Sequence, residues 1–243
     1  MKERLDKIIV DRGLAASRER ARALIMEGKV HVGGVAAAKA GSMVSSDAPV
    51  EISGGEMPYV SRGGLKLEAA VRNFNVSVAG KIAMDVGAST GGFTDCLLQN
   101  GAEKVYCIDV GYGQLAWKLR QDPRVHLLER TNMRYLENVK IPDPIDFATI
   151  DVSFISLVKV VPKVLEFLQK GGELIALIKP QFEVGKGEVD KGGIIRDAAK
   201  REQAVNRVKE SLESFGLSTV GIMESPITGQ KGNIEYLIYM TTG

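Results

Sequence analysis

Apolar positions repeat along this chain with two kinds of spacing, and the pattern changes near residue 58. In the first part Leu5, Ile8 and Ile9 fall at helical spacing, predicting a helix that ends at Gly13. Ser17 is a candidate N-cap for a second helix, whose apolar face is Ala21, Leu24 and Ile25 and which stops at Gly28. A short strand over 29–32 then meets Gly33-Gly34, a hairpin signal, and 49–52 reads as the returning strand. Residues 53–58 have the composition of a linker. The pattern predicts a small α/β domain over 1–58 and a second domain over 59–243.

In the second domain strands and helices alternate. Leu67, Ala70, Val71 and Phe74 mark one face of a helix. Short apolar runs at 82–86, 104–108, 125–128, 147–150, 173–178, 218–223 and 236–240 read as strands. Helices fall between most of them, one passing through Cys96-Leu97-Leu98 and others over 157–168 and 196–215. Such alternation predicts an α/β fold with a mostly parallel sheet covered on both faces, of the kind that binds ligands at the carboxyl ends of its strands.

Composition narrows the class. The chain has 243 residues, 44% of them hydrophobic, which excludes a disordered chain and is enough for a core without staples. No run approaches the roughly 18 consecutive apolar residues of a membrane span, and the start Met-Lys-Glu-Arg-Leu-Asp has no signal-peptide core. Two cysteines, Cys96 and Cys107, make neither a disulfide framework nor a metal quartet, and His31 and His126 have no ligand spacing. These features point to a reduced, cytoplasmic protein without a metal. The net charge of +2 is uneven: residues 1–40 hold nine Lys/Arg against five acids, while the rest is slightly acidic. A basic head on a near-neutral body is what a polyanion-docking module looks like, and equally what a solvated helical face looks like.

Two constellations carry chemistry. The first is Asp85-Val-Gly87-Ala88-Ser89-Thr-Gly91-Gly92-Phe93, directly after the first strand of the large domain, followed by Asp109 at the end of the next strand. Glycines there let the backbone turn sharply and approach a ligand, and an acid one strand further on can accept ribose hydroxyls. The middle glycine of a dinucleotide fingerprint is replaced by Ser89, and no Lys-Ser/Thr follows as in a P-loop. The spacing instead resembles the S-adenosylmethionine loop of Rossmann-like methyltransferases. The second constellation is Lys66, Asp151, Lys179 and Glu235: Asp151 and Lys179 each end an apolar strand, Glu235 precedes the last strand, and Lys66 lies on the first helix of the domain. Gathered at one strand-end site they form a mutually neutralised polar cluster; taken singly, each also fits a surface ion pair or a snorkelling lysine.

Longer stretches carry a resemblance. Arg4-Leu-Asp-Lys, Ser17-Arg18, Ala23-Leu-Ile and Gly28-Lys-Val-His-Val-Gly-Gly34 resemble the S-four RNA-binding domain. The stretches from Tyr59 to Leu67, Asp85 to Phe93, Asp109 to Trp117 and Leu128 to Asn132 resemble the TlyA (hemolysin A-like) family, as do Asp151-Val-Ser-Phe-Ile-Ser156, Lys179 to Gly187 and Gly232-Asn-Ile-Glu-Tyr236. That family is similar to the FtsJ-type ribose 2′-O-methyltransferases, whose Lys-Asp-Lys-Glu tetrad would here be Lys66, Asp151, Lys179 and Glu235. The resemblance implies a Rossmann-like methyltransferase domain behind an S-four-type head, and methylation of the ribose 2′-hydroxyl of a cytidine in ribosomal RNA or a ribosomal subunit. It implies S-adenosylmethionine as cofactor, its adenosine near Asp109 and Asn132 and its methionine end near Asp85 and Gly87, with Ala88, Ser89, Gly91, Gly92 and Phe93 completing the loop. RNA would be held by Arg4, Arg12, Arg18, Arg20, Arg22 and Lys29. The chain stops at Gly243 soon after its last strand, which favours the large subunit over the small.

Three rivals remain on the sequence. Asp151-Val-Ser-Phe154 stands where amino-methylating enzymes carry Asp/Asn-Pro-Pro-Tyr/Phe, but lacks both prolines. An RNA-binding assembly factor with a silent methyltransferase fold would retain the same motifs. A membrane-lytic protein would need a long amphipathic helix or a barrel-like strand array, and neither is visible. Residues 184–193, rich in glycine, read equally as a mobile lid over the RNA or as a long loop.

Overall fold

The computed structural model describes residues 2–37, 39–52, 57–185, 189 and 192–243, so most of the expected linker over 53–58 and half of the glycine-rich segment 184–193 lie outside the described residues. The chain divides into two compact units, Met1–Met57 and Pro58–Gly243.

The first unit contains β1 (Lys2–Arg4), α1 (Leu5–Asp11), α2 (Arg18–Met26), β2 (Val30–Val32), β3 (Val35–Ala36), β4 (Met43–Ser45) and β5 (Val50–Ile52). Ser17 caps α2, its Oγ accepting from Arg20 N at 3.2 Å, and Gly28 leaves the helix with φ 70°. Leu5, Ile9, Ala21, Leu24, Ile25 and Val30 form the small core between the two helices and the sheet. The Gly33-Gly34 turn returns into β3, two residues long, rather than into 49–52; β5 instead pairs with the other edge of β2. The pairing of β1 with β4 was not legible in the sequence, because three-residue strands are too short to show a period of two.

The second unit contains α3 (Gly63–Asn73), β6 (Ile82–Val86), α4 (Gly92–Gln99), β7 (Lys104–Ile108), α5 (Trp117–Arg120), β8 (Val125–Leu128), β9 (Ile145–Ile150), α6 (Val161–Leu165), β10 (Leu168–Ile178), α7 (Pro180–Glu183), α8 (Ala198–Ser214), β11 (Leu217–Glu224) and β12 (Tyr236–Thr242). Its sheet runs β11-β12-β10-β9-β6-β7-β8. The five strands from β10 to β8 are parallel neighbours, and β12 lies antiparallel between β10 and β11. Alternate residues of β10 enter two different cores: Leu174, Ala176 and Ile178 pack in one, Ile175 and Leu177 in the other, as a strand covered on both faces requires. Each fully buried side chain of this kind, Phe147 and Ile150 among them, contributes about 1.5–3 kcal/mol.

The helix expected over 157–168 is broken up. A 3-10 turn over Leu157–Lys159 precedes α6, which carries Pro162 in its first turn, and the chain is already extended again at Leu168. Pro162 has no N–H to donate, so it suits a helix start and not the interior of a long helix. The last α-helix starts where Asp197 accepts from Ala199 N and Lys200 N.

Strand order reverses between β6 and β9, which share a parallel ladder but lead to opposite halves of the sheet. Such a switch point leaves a crevice beyond the carboxyl ends of the two strands.

Candidate active site

The crevice is lined from three directions. After β6 the chain turns at Gly87, whose φ is 86° and where a Cβ would press into the backbone of Asp151, with the carbonyl carbon at 2.9 Å. Only glycine allows this approach of the two strand ends, and Asp151 N donates back to Val86 O at 2.9 Å. Gly92, the first residue of α4, lies equally close to α3: a Cβ there would be 2.8 Å from Gly64 N. The loop therefore joins α3, β6 and β9 at one point.

Lys66 (on α3), Asp151 (after β9), Lys179 (after β10) and Glu235 (before β12) come together around this point, and all four line one cavity of about 390 Å³. Gly87, Ala88, Ser89, Thr90, Gly92 and Phe93 form another part of its wall. Lys66 Nζ donates to Glu235 Oε2 at 2.6 Å; the lysine is 8% exposed and the glutamate 3%. Lys179, also 8% exposed, has its Nζ 2.6 Å from Asp151 Oδ1 and donates to Ser153 Oγ at 2.9 Å. Two cations and two anions thus neutralise each other, three of them buried and Asp151 partly exposed, as buried charges require.

The other expected cofactor residues divide. Asp109 ends β7 and spends one lone pair of each oxygen on the backbone, accepting from Ser89 N at 2.7 Å and Gly111 N at 2.6 Å. It therefore fixes the left-handed turn at Ser89, whose φ is 49°. Asp85 lies beneath the loop rather than on the cavity wall. It is fully buried, and its carboxylate accepts from the hydroxyls of Thr94 (2.6 Å) and Thr149 (3.1 Å). Burial pushes its carboxyl up to about 6, with the two threonine hydroxyls working against that shift. Gly91, the residue before α4, is in the left-handed region. Asn132 is exposed and caps the 3-10 turn Met133–Tyr135, its Oδ1 accepting from Arg134 N at 3.1 Å.

In the first unit, Arg4, Arg18 and Arg22 converge on one carboxylate. Asp6, fully buried, accepts from Arg4 Nε at 3.0 Å, Arg18 Nη2 at 3.2 Å and Arg22 Nε at 3.1 Å, and the Arg4 guanidinium foremost holds its carboxyl well below the usual range. The three arginine side chains stay 45–50% exposed. Arg12 is turned to the carbonyls of Ser46 and Ala48, and Lys29 and Arg20 both pair with Glu27. Three of the six expected RNA contacts are thus gathered, and three are engaged elsewhere.

Several wall residues escaped the sequence reading: Ser153, Gln181, Phe182 and the turn Ile227-Thr228-Gly229. Beside them Phe154 is 85% exposed with φ 64°, its ring 5.0 Å from that of Phe182. An exposed aromatic with a left-handed backbone thus stands next to the polar cluster. Its place in Asp-Val-Ser-Phe was the available signal. Among the described residues no group of three or more His, Cys, Asp and Glu side chains is placed to hold a metal ion, and no helix is long and apolar enough to cross a membrane.

A glycine loop and a Lys-Asp-Lys-Glu cluster at the switch point of a mixed α/β sheet define a methyltransferase of the Rossmann-like class. The chain belongs to the FtsJ-like methyltransferase family, whose model matches residues 59–242, and an S4 domain model matches residues 3–50. It is 45% identical to the 16S/23S rRNA (cytidine-2′-O)-methyltransferase TlyA of Mycobacterium tuberculosis, over 98% of this chain and 90% of that protein. It is 43% identical to Hemolysin A of Brachyspira hyodysenteriae, over 97% of this chain and 98% of that protein. Among solved structures, a hemolysin candidate from Streptococcus thermophilus is 44% identical and superposes with a TM-score of 0.79, covering 99% of this chain and 88% of that one.

Proposed function

We propose that this chain methylates the ribose 2′-oxygen of a cytidine in ribosomal RNA, using S-adenosylmethionine, in the cytoplasm where ribosomes are assembled. The observation that carries the reading is the meeting of the glycine loop with Lys66, Asp151, Lys179 and Glu235 in one cavity. The reaction is the one in the name of the M. tuberculosis relative.

The cofactor suits the loop side of the cavity, where backbone and small side chains from Gly87 to Gly92 face the four charges. Gly87, Ala88, Ser89, Gly91, Gly92 and Phe93 would hold its methionine end. Asp109 keeps free lone pairs for the ribose hydroxyls, and Asn132 stands on the adenosine side. Asp85 works from below, holding α4 and β9 through Thr94 and Thr149. When bound, S-adenosylmethionine supplies an electrophilic methyl carbon on a sulfonium centre.

The chain's own residues have two tasks, orienting the nucleotide and dealing with its proton. Lys179 meets the 2′-hydroxyl: as an amine it takes the proton, and as an ammonium it stabilises the negative charge developing on oxygen as the proton leaves to water. Asp151 and Glu235 hold the two lysines, and Lys66 flanks the 2′-oxygen from the other side. Phe154 and Phe182 offer the base a stacking face, as in other single-stranded RNA sites. The arginines on Asp6 dock the RNA backbone and set register rather than sequence.

The test is transfer of labelled methyl to purified ribosomal subunits and naked rRNA that lack the modification, with Lys179→Ala alongside. Label should appear on one subunit, map to a 2′-O position by resistance of that linkage to alkaline digestion, and fall by roughly 100–10,000-fold in the variant. Alkali-sensitive label would make the enzyme a base methyltransferase. Cofactor binding without label on any RNA would make the chain an assembly factor.

A further inference from the structure

Lys179 is held by two neighbours, and only one of them gives it direction. Asp151 Oδ1 is close, at 2.6 Å, but takes no directed hydrogen bond. Ser153 Oγ does take one, at 2.9 Å, and it is the only directed hydrogen bond of the Lys179 ammonium among the described residues. Lys66 needs no such helper, because its bond to Glu235 is both ionic and directed. Asp151 therefore supplies attraction at Lys179, and Ser153 supplies aim.

Aim matters for a lysine more than for other catalytic groups. Its ammonium is a compact charge with rotatable donors on a flexible four-carbon stem. Fixing one of the three tetrahedral positions on Nζ confines the other two to a narrow cone. The side chain is 10% exposed and lines the cavity, so that cone opens onto the space the ribose would fill. Ser153 lines the same cavity two residues after Asp151, on the bend that leaves β9. A proline there, as in the amino-methylating motif, would have no hydroxyl to accept the bond.

We propose that Ser153 is a positioning residue for methyl transfer: its hydroxyl orients Lys179 Nζ toward the attacking 2′-oxygen. The inference rests on the ribose-methylation reading above. It adds a fifth member to the cluster that acts on the substrate only through Lys179.

The experiment uses the full chain with Ser153→Ala and Ser153→Thr and two readouts. In steady-state methyl transfer to rRNA, Ser153→Ala should lower kcat by roughly ten- to a hundredfold, the scale of a misaimed catalytic group, with KM and melting temperature unchanged. Ser153→Thr, which keeps the hydroxyl, should restore kcat to within about threefold. In the second readout the folded protein is pulsed with acetic anhydride at one pH and its lysines are quantified by mass spectrometry. Loss of the Ser153 bond should raise acetylation of Lys179 several-fold and leave Lys66 unchanged. Wild-type kcat in Ser153→Ala, Thr no better than Ala, or unchanged Lys179 acetylation would each overturn the proposal. Should wild-type protein methylate no 2′-oxygen at all, the proposed reaction falls, and with it the positioning role. The acetylation ratio would then still decide whether Ser153 holds Lys179.

Discussion

At Gly87 the two strand ends lie too close to admit a Cβ, which makes Gly87→Ala a quantitative test of how the site is assembled. Two costs are separable. The first is the left-handed backbone, with φ at 86°, which costs an alanine roughly 1–2 kcal/mol. The second is the new methyl against Asp151, whose carbonyl oxygen must retreat by about half an ångström or more. Overpacking of this kind typically costs about 1–3 kcal/mol. Gly113 isolates the first cost, because its φ is 71° but a Cβ there meets nothing within 4 Å. Gly87→Ala should therefore lose about 1–3 kcal/mol more than Gly113→Ala, or roughly 2–12 °C in Tm at roughly 2–4 °C per kcal/mol for a unit of this size. The displaced Asp151 is the charge partner of Lys179, and misplacement approaching 1 Å can cost about a hundredfold in rate. Thermal melts and methyl transfer on the two variants supply both numbers. Equal Tm and equal kcat for Gly87→Ala and Gly113→Ala would refute the claim that close approach at Gly87 builds the site.

Three further outcomes follow from single groups. Asp85 has a folded-state pKa raised to about 6, above the roughly 3.9 of an unfolded aspartate, so the native state binds the extra proton and stability contributed by Asp85 falls as pH rises from about 4 to 6. Asp85→Asn should remove that loss, so that stability at pH 7 relative to pH 4 is higher in the variant than in the parent in urea titrations; an unchanged difference would contradict it. Glu235→Gln should leave Lys66 as a buried cation without its anion, costing about 3–5 kcal/mol and nearly all turnover, while Glu224→Gln on the exposed end of β11 should leave both intact. In the first unit, replacing Arg18 with Ala should weaken RNA binding evenly across sequences and reduce the magnitude of the salt slope of log K by about 1, whereas Glu51→Ala should not; a slope unchanged by loss of Arg18 would remove it from the interface.

The alternation of strands and helices, and the strand ends that carry Asp109, Asp151 and Lys179, were legible because a doubly covered parallel sheet writes itself as short apolar runs. The break at Pro162 was also in the sequence, but the apolar spacing across 157–168 outweighed it in the reading. Other features depend on long-range contact and left no local mark. The antiparallel place of β12 between β10 and β11 has no signature in its own residues. Asp85 was expected at the ligand and lies under the loop, since sequence places an acid at a strand end without saying which face its side chain takes. Arg12, Arg20 and Lys29 contribute to the basic charge of the head but face carbonyls or Glu27, because charge counts do not reveal pairing. Ser153 was invisible for a similar reason: its meaning comes from a lysine 26 residues away.

The four clustered charges, three of them buried and Asp151 partly so, are better explained by reaction than by stability. Replacing a buried ion pair with well-packed apolar residues is often neutral or stabilising, because desolvation consumes most of the Coulombic gain. Here both pairs line one cavity, three of the four groups following or preceding strands and Lys66 on α3, with Lys66 and Lys179 each 8% exposed, while the two apolar cores lie along the strands themselves. A fold that needed these pairs for cohesion would have no reason to collect them at its topological switch point. A site that must place positive charge beside a ribose oxygen does, and the anions let those cations remain in the cavity wall until the substrate arrives. The structural cost then falls where the chemistry is done, which is why a backbone approach too close for a Cβ, at Gly87, and the least exposed lysines occur within one cavity.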